Sequence, residues 1–312
     1  MLTGADTDPR RAEQPEQLTT PGLAAQTRPP APIAPTTVHP ASVARWPTPP
    51  LVTASLGLHA LALGTAVLAP ELAPWALGSI ALNHVGLGAA GLWPRSTLLG
   101  PNLRRLPGAA AARGAIALTF DDGPDPEVTP ALLDWLESES LHASFFCIAK
   151  RAQAQPALTR QIVARGHSVQ NHSHHHRHHF ALLGPAGMAR EVGRAQHILG
   201  DITGSLPHCF RAPAGLRNPF LDPVLHRLGL HLVSWTRRGF DTRSHDADQV
   251  LARLSRQLAA GDILLLHDGH ARRSTSGRAV ALEVLPRLLA RCRAAGLHPE
   301  TLREAVPQRG AA

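Results

Sequence analysis

Two adjacent carboxylates, Asp121-Asp122, run directly into Gly123-Pro124, and some fifty residues later the chain reads Asn171-His172-Ser173-His174-His175-His176-Arg177-His178-His179. Neighbouring carboxylates repel unless a cation or a proton separates their roles. Seven of the nineteen histidines fall between His167 and His179, so a metal is the obvious cation. His172 and His176 are four residues apart, and one helical turn would put both imidazoles on one face. Together with Asp122 they make a two-histidine, one-carboxylate set with open positions. That set suits Zn²⁺, and also Co²⁺, Ni²⁺ or Fe²⁺. Spacing alone leaves the ligand choice open, because His175 and His179 offer the same interval. Three more polar clusters follow: Phe210-Arg211-Ala212-Pro213-Ala214-Gly215, then Ser234 to Asp241, then Leu264 to Gly269 with His267 near its end.

Positioning these groups requires elements that end where they begin. From about Gly114 onward, short apolar runs alternate with amphipathic stretches. The pattern predicts strands at Ala115–Phe120, Ala143–Ile148, His167–Asn171, His208–Arg211, His231–Trp235 and Asp262–His267. Between them it predicts helices at Thr129–Glu139, with Thr129 as N-cap, Pro156–Arg165, Pro185–Leu199, Ala247–Ala259 and Ala279–Ala294. Strand and helix alternating in this way imply an α/β fold on a parallel sheet, open or closed into a barrel. Chemistry then collects at the C-terminal ends of the strands, where each polar cluster falls.

Asp121-Asp122, His172-Ser-x-x-His176, Arg211-x-Pro213-x-Gly215, Asp241 and Leu265-x-His267 resemble the five ordered motifs of the NodB-homology polysaccharide deacetylases, carbohydrate esterase family 4. The resemblance covers about half the chain, from Ile116 to beyond His270. It implies a distorted (β/α) barrel and metal-dependent removal of an acyl group, above all N-acetyl, from a saccharide. It implies Asp122, His172 and His176 as metal ligands, Asp121 as general base and His267 as general acid. Arg211 matches the residue that holds the base, and Asp241 the one that orients the acid. Ala214 by its backbone N–H, Leu265 and Trp235 fall at the substrate. A divalent ion there would polarise the acyl carbonyl and lower the pKa of water. A catalytically silent glycan- or metal-binding module of the same fold is the competing reading. It has no use for Asp121 and His267 together.

Two positions depart from the family pattern. Ala214 stands where an aromatic is usual, and Thr242 where a tryptophan usually follows the fifth-strand aspartate. Both changes remove walls of a sugar groove and spare the reacting groups, so a short or lipid-linked saccharide is expected in place of a long polymer.

The rest of the chain sets location. Residues 1–50 hold eleven prolines and no apolar periodicity, the composition of a disordered tail. Two uncharged runs follow, 51–69 and 75–93, with Trp75 and Trp93 bounding the second. At 1.5 Å per residue each spans roughly 28 Å, so a membrane hairpin is expected. Residues 94–113 read as a linker and 114–306 as the catalytic domain. Seven arginines flank the hairpin and only Glu71 lies in its turn, which puts both ends in the cytoplasm of a bacterial inner-membrane protein. The formal charge of +8 is almost all arginine, since Lys150 is the only lysine, and it is scattered. With aromatics scarce, a nucleic-acid surface is not expected. Cys147, Cys209 and Cys292 are too few for a disulfide framework.

Overall fold

The computed structural model describes Met1, Gly4 and residues 45–309. The expected disordered tail lies almost wholly outside the described residues. A helical pair, α1 (Pro50–Leu68) and α2 (Ala73–Leu92), precedes a short α3 (Gly108–Ala112). There follow β1 (Ala115–Asp121), α4 (Val128–Ser138), β2 (Ser144–Cys147), α5 (Ala149–Ala154), α6 (Pro156–Ala164), β3 (Ser168–Asn171), α7 (Pro185–Thr203) and β4 (Cys209–Phe210). The chain closes with α8 (Leu221–Arg227), β5 (His231–Leu232), β6 (Arg237–Arg238), α9 (Ala247–Ser255), β7 (Ile263–His267), α10 (Val280–Ala294), β8 (His298–Pro299) and α11 (Leu302–Ala305).

The strands form one parallel, curled sheet in the order β5-β4-β3-β2-β1-β7-β6, with β8 added on β1. All six expected strands are present at or within a few residues of their predicted limits. The alternation of β1 explains its place. Ile116, Leu118 and Phe120 point outward into the main core beneath α4, α6, α9 and α10. Ala115 and Ala117 point inward, packing with Phe146, Cys209, Val233 and Ile263. Thr119 and Asp121 continue the inward row, so that face changes from small and apolar to polar as the strand rises.

Three local expectations are corrected. Thr129 is not an N-cap. Asp125 Oδ1 instead accepts from the N–H groups of Glu127 and Val128, and Thr129 Oγ1 is drawn away to Asp268. His172 to His176 is not a helical turn but a loop with Ser173 and His176 at positive φ. The stretch 94–113 is not a spacer. Leu103 pairs with Val233 beyond β5, and Arg105 pairs with Asp262 before β7. Ser234 N donates to Leu103 O, Thr236 Oγ1 to Arg104 O, and Arg105 makes an ion pair of 2.9 Å with the fully buried Asp262. Residues 103–106 thus bridge the gap between the two edges of the curled sheet.

The helical pair is rooted on the same face of the domain at both ends. Trp46 Nε1 donates to Asp222 Oδ2 at 2.8 Å just ahead of α1, and Arg217 N donates to Gly91 O near the end of α2. Between the helices, Asn83 Nδ2 donates to Ser55 Oγ and the rings of His59 and His84 meet edge to face. Away from these roots the pair exposes Leu56, Leu61, Leu63, Val67, Leu77, Leu82 and Val85, so it is not a core element of the domain. Pro50–Leu68 is the one helix among the described residues that is long and apolar enough to cross a membrane; the second run, broken by Asn83, His84 and four glycines, is not.

Gly91 fixes the root. A Cβ there would lie 2.1 Å from Arg217 O, a backbone atom that cannot swing aside. Gly91→Val is therefore expected to lower stability by about 1–3 kcal/mol and to expose residues 93–107 to protease. Denaturant unfolding and limited proteolysis read both, and wild-type behaviour in both would contradict the docking described.

Candidate active site

The inward row of β1 meets its neighbours at the top of the barrel. Asp121 stands in register with His267 of β7 and with Phe146 of β2. Arg211, one residue past β4 and 1% exposed, crosses the barrel. Its Nη1 donates to Asp121 Oδ1 at 2.5 Å and to Thr119 Oγ1 at 3.0 Å, while Nε and Nη2 reach the carbonyls of Val233 and Ser234. The guanidinium lies 4.0 Å from the centre of the Phe146 ring. Burial lowers its pKa, with Asp121 acting in the opposite sense.

Asp122 follows at positive φ, turned out of the strand. Its Oδ1 lies 3.4 Å from His172 Nε2 and 3.2 Å from His176 Nε2, yet it is buried and has no hydrogen-bond partner. His172 Nδ1 can only donate to the carbonyl of Arg211, at 2.8 Å, which leaves Nε2 of the neutral ring as a bare lone pair facing Asp122. Three lone-pair atoms that converge without a shared proton are what a divalent cation needs, so the residues fit the metal. Burial, then the neighbouring His172, push the His176 pKa down to about 4, favouring the neutral ligand form. Burial works against ionised Asp122, but the neighbouring imidazoles of His172, His270 and His176 outweigh it and hold the carboxyl well below the ordinary range.

The alternative histidines are engaged elsewhere. His175 Nδ1 contacts Glu191 Oε1 at 2.7 Å, and Arg177 reaches the same carboxylate. His179 is exposed.

On the opposite side, Asp241, fully buried, accepts from His267 twice: from its backbone N–H and from Nδ1, both at 2.8 Å. Nε2 is thereby left to face the site. Burial disfavours the charged ring, but the charge and hydrogen bond of Asp241, with Asp121 and Asp122 behind, raise the His267 pKa above the usual value. Ala214 is exposed at positive φ in the turn after β4, three residues beyond Arg211. Leu265, on the inward face of β7 below His267, is buried, and Trp235 nearly so. Both expected pocket residues are therefore buried and offer little open surface.

Four functional neighbours escaped the sequence reading. His270 Nδ1 donates to Asp122 Oδ2 at 3.2 Å, and Arg151 joins His270 Nε2 to the carbonyl of Asp122. This clamp holds the candidate ligand residue at its positive φ. Asp268 is buried against Gly123, where a Cβ would come within 1.9 Å of its carboxylate. Arg238 completes the set. Only the His270 imidazole, three residues past His267, carried a signal that could have been followed.

Comparison with known proteins agrees with this architecture. Residues 109–233 match the family described as "Polysaccharide deacetylase". A chitooligosaccharide deacetylase of Azorhizobium caulinodans is 34% identical over 160 residues, 50% of this chain and 75% of that protein. A peptidoglycan-N-acetylglucosamine deacetylase of Bacillus cereus is 32% identical over 180 residues, 55% of this chain and 81% of the relative. Among solved structures, a family 4 carbohydrate esterase from Streptomyces lividans in complex with acetate aligns with a TM-score of 0.56 at 32% identity, covering 64% of this chain and 97% of that one. A family 4 acetyl xylan esterase from Clostridium thermocellum with a bound cobalt ion aligns at 0.55 and 27%, covering 61% and 89%. The chain belongs to the NodB-homology polysaccharide deacetylases, carbohydrate esterase family 4. It is accordingly an enzyme, a carbohydrate deacetylase of a family that is generally metal-dependent.

Two outcomes are expected. Competition against a fluorescent chelator should give one tight divalent ion per chain, abolished in Asp122→Ala and weakened roughly 10- to 100-fold in His270→Ala. Unchanged affinity in His270→Ala would refute the clamp. Burial raises the Asp268 pKa to about 7, with Thr129 opposing and Asp122 and Asp121 adding to it. A carboxyl whose pKa is higher folded than unfolded contributes stability at low pH and loses it as pH climbs through the folded value. The metal-free wild type should therefore lose stability relative to Asp268→Asn from pH 4 towards 7 in pH-dependent denaturant unfolding, and a difference that does not change with pH would contradict this.

Proposed function

We propose that the chain removes the N-acetyl group from short or lipid-linked N-acetylated saccharides with the help of a divalent metal, at the surface of a membrane. The observation that carries this reading is the pairing of Asp121 with Arg211 and of His267 with Asp241 on either side of the Asp122, His172 and His176 cluster.

Asp122, His172 and His176 would hold the ion, zinc first, with cobalt, nickel or iron as alternatives. When bound, it supplies Lewis-acid polarisation of the acyl carbonyl and lowers the pKa of water. Asp121, fixed by Arg211, takes the proton from the attacking water. The N–H of Ala214 donates to the oxygen on which charge develops. His267, its Nδ1 committed to Asp241, gives the proton on Nε2 to the departing amine and leaves as the neutral ring. The loss of aromatic walls at Ala214 and Thr242 supports a short ligand over an extended polymer.

The α1–α2 pair would be the anchor. Its exposed leucines suit lipid, and both of its ends are rooted on the domain, so the catalytic domain lies on the side from which the hairpin enters. The flanking arginines assign that side to the cytoplasm of a bacterial inner membrane.

Acetate release from chitooligosaccharides tests the chemistry, with Asp121→Asn and His267→Ala each expected to lower kcat by about 10²–10⁴-fold while unfolding stays cooperative. Near wild-type turnover by either would end the assignment. Because Asp241 raises the pKa of the acid, activity should fall at alkaline pH as His267 deprotonates. In Asp241→Asn that alkaline limb should move to lower pH, and an unmoved limb would remove His267 from the role of acid.

A further inference from the structure

Arg238, at the end of β6, is a cation without a counter-ion. It is half-buried, among the described residues no carboxylate lies within ion-pair distance of it, and its Nε is buried without a hydrogen-bond partner. The guanidinium is held between two rings, 5.2 Å from the centre of Trp235 and 4.9 Å from that of Phe240. Trp235 in turn packs against the Gly215 turn that presents Ala214. Asp121, Asp241 and Asp122 are close enough for their charges to act on it, against the effect of burial. Arg238 pairs with Leu265, two residues before His267 on β7, and precedes by three residues the Asp241 that holds His267, so it stands beside the reacting groups with donors unused. An aromatic-backed guanidinium is a pre-organised receptor for anionic oxygens. An unsatisfied donor of this kind is costly to bury unless a ligand completes it.

We propose that Arg238 recognises an anionic group, phosphate or carboxylate, on the unit adjoining the acylated sugar, and so selects charged saccharides over neutral ones. This deepens the deacetylase reading and rests on it. The place of Arg238 complements the missing aromatics: where Ala214 and Thr242 give up stacking on a sugar face, a fixed charge supplies orientation. A substrate that carries its own negative charge would otherwise be repelled by Asp121 and Asp241.

Three N-acetylated disaccharides decide it: neutral chitobiose, chitobiose 1-phosphate, and a counterpart ending in a uronate. Acetate release is measured for wild type, Arg238→Gln and Arg238→Lys, with thermal unfolding to check that each variant is folded. The wild type is expected to favour at least one anionic substrate in kcat/KM by about 10- to 100-fold, chiefly through KM. That ratio should collapse towards one in Arg238→Gln and be partly restored in Arg238→Lys. Preference for the phosphate or for the uronate identifies the source of the charge. Equal wild-type kcat/KM on all three, or a loss in Arg238→Gln that is the same for neutral and anionic substrates, overturns the proposal. Calorimetric binding of the same saccharides separates the two readings. Tighter anion binding that depends on Arg238, without any acetate release, sinks the deacetylase reading and keeps this one. Acetate release without preference does the reverse.

Discussion

A guanidinium sealed inside the barrel holds the active centre together. Arg211 joins β1 to the far strands by donating to Asp121, Thr119 and the carbonyls of Val233 and Ser234, and it rests on the ring of Phe146. Its own carbonyl, meanwhile, accepts the Nδ1 proton of His172. One residue therefore orients the proposed base through its side chain and a metal-ligand candidate through its main chain. Burying an unpaired charge costs several kcal/mol, roughly speaking, and removing one member of such a pair leaves that cost uncompensated. Four of the five guanidinium N–H groups of Arg211 are engaged, which holds the carboxylate of Asp121 in one place.

The second half of the centre repeats the arrangement with different chemistry. Asp241 lies on the loop after β6 and takes both the backbone and the ring N–H of His267, so the imidazole has one orientation available. Because β1 and β7 are paired with Asp121 opposite His267, the proposed base and acid are set by strand register and not by loop flexibility. A shift of one residue in that pairing would turn His267 outward into the helical layer.

Much of this was legible in the sequence because strand ends carry the polar residues. Asp121, Arg211 and His267 each terminate or directly follow a run of apolar alternation, so the run located them. What stayed hidden had no such run. Strand β6 is two arginines, Arg237 and Arg238, with no apolar alternation, and it exists because Leu264 and Leu265 of β7 supply the ladder. Helix α8 and the strap at 103–106 are likewise held by tertiary contacts alone. The four-residue interval between His172 and His176 pointed to a helix, whereas a loop with two left-handed residues brings the rings together. The same interval failed to separate them from His175 and His179; Glu191, sixteen residues beyond His175, made that distinction by capturing it. Clamping of Asp122 by His270 and Arg151 joins residues from three separate segments, which no local pattern announces.

The strap at residues 103–106 has a bearing on how the catalytic domain can be separated from its helical pair. Leu103 and Arg105 sew the sheet's two open edges to each other, and Leu106 sits in the inner core. A cut at Gly114, where the alternating pattern begins, would discard that seam and leave the barrel gaping beside Val233 and Asp262. A cut just after Trp93 would keep it, sparing the solubilised enzyme its closure while shedding the greasy helices.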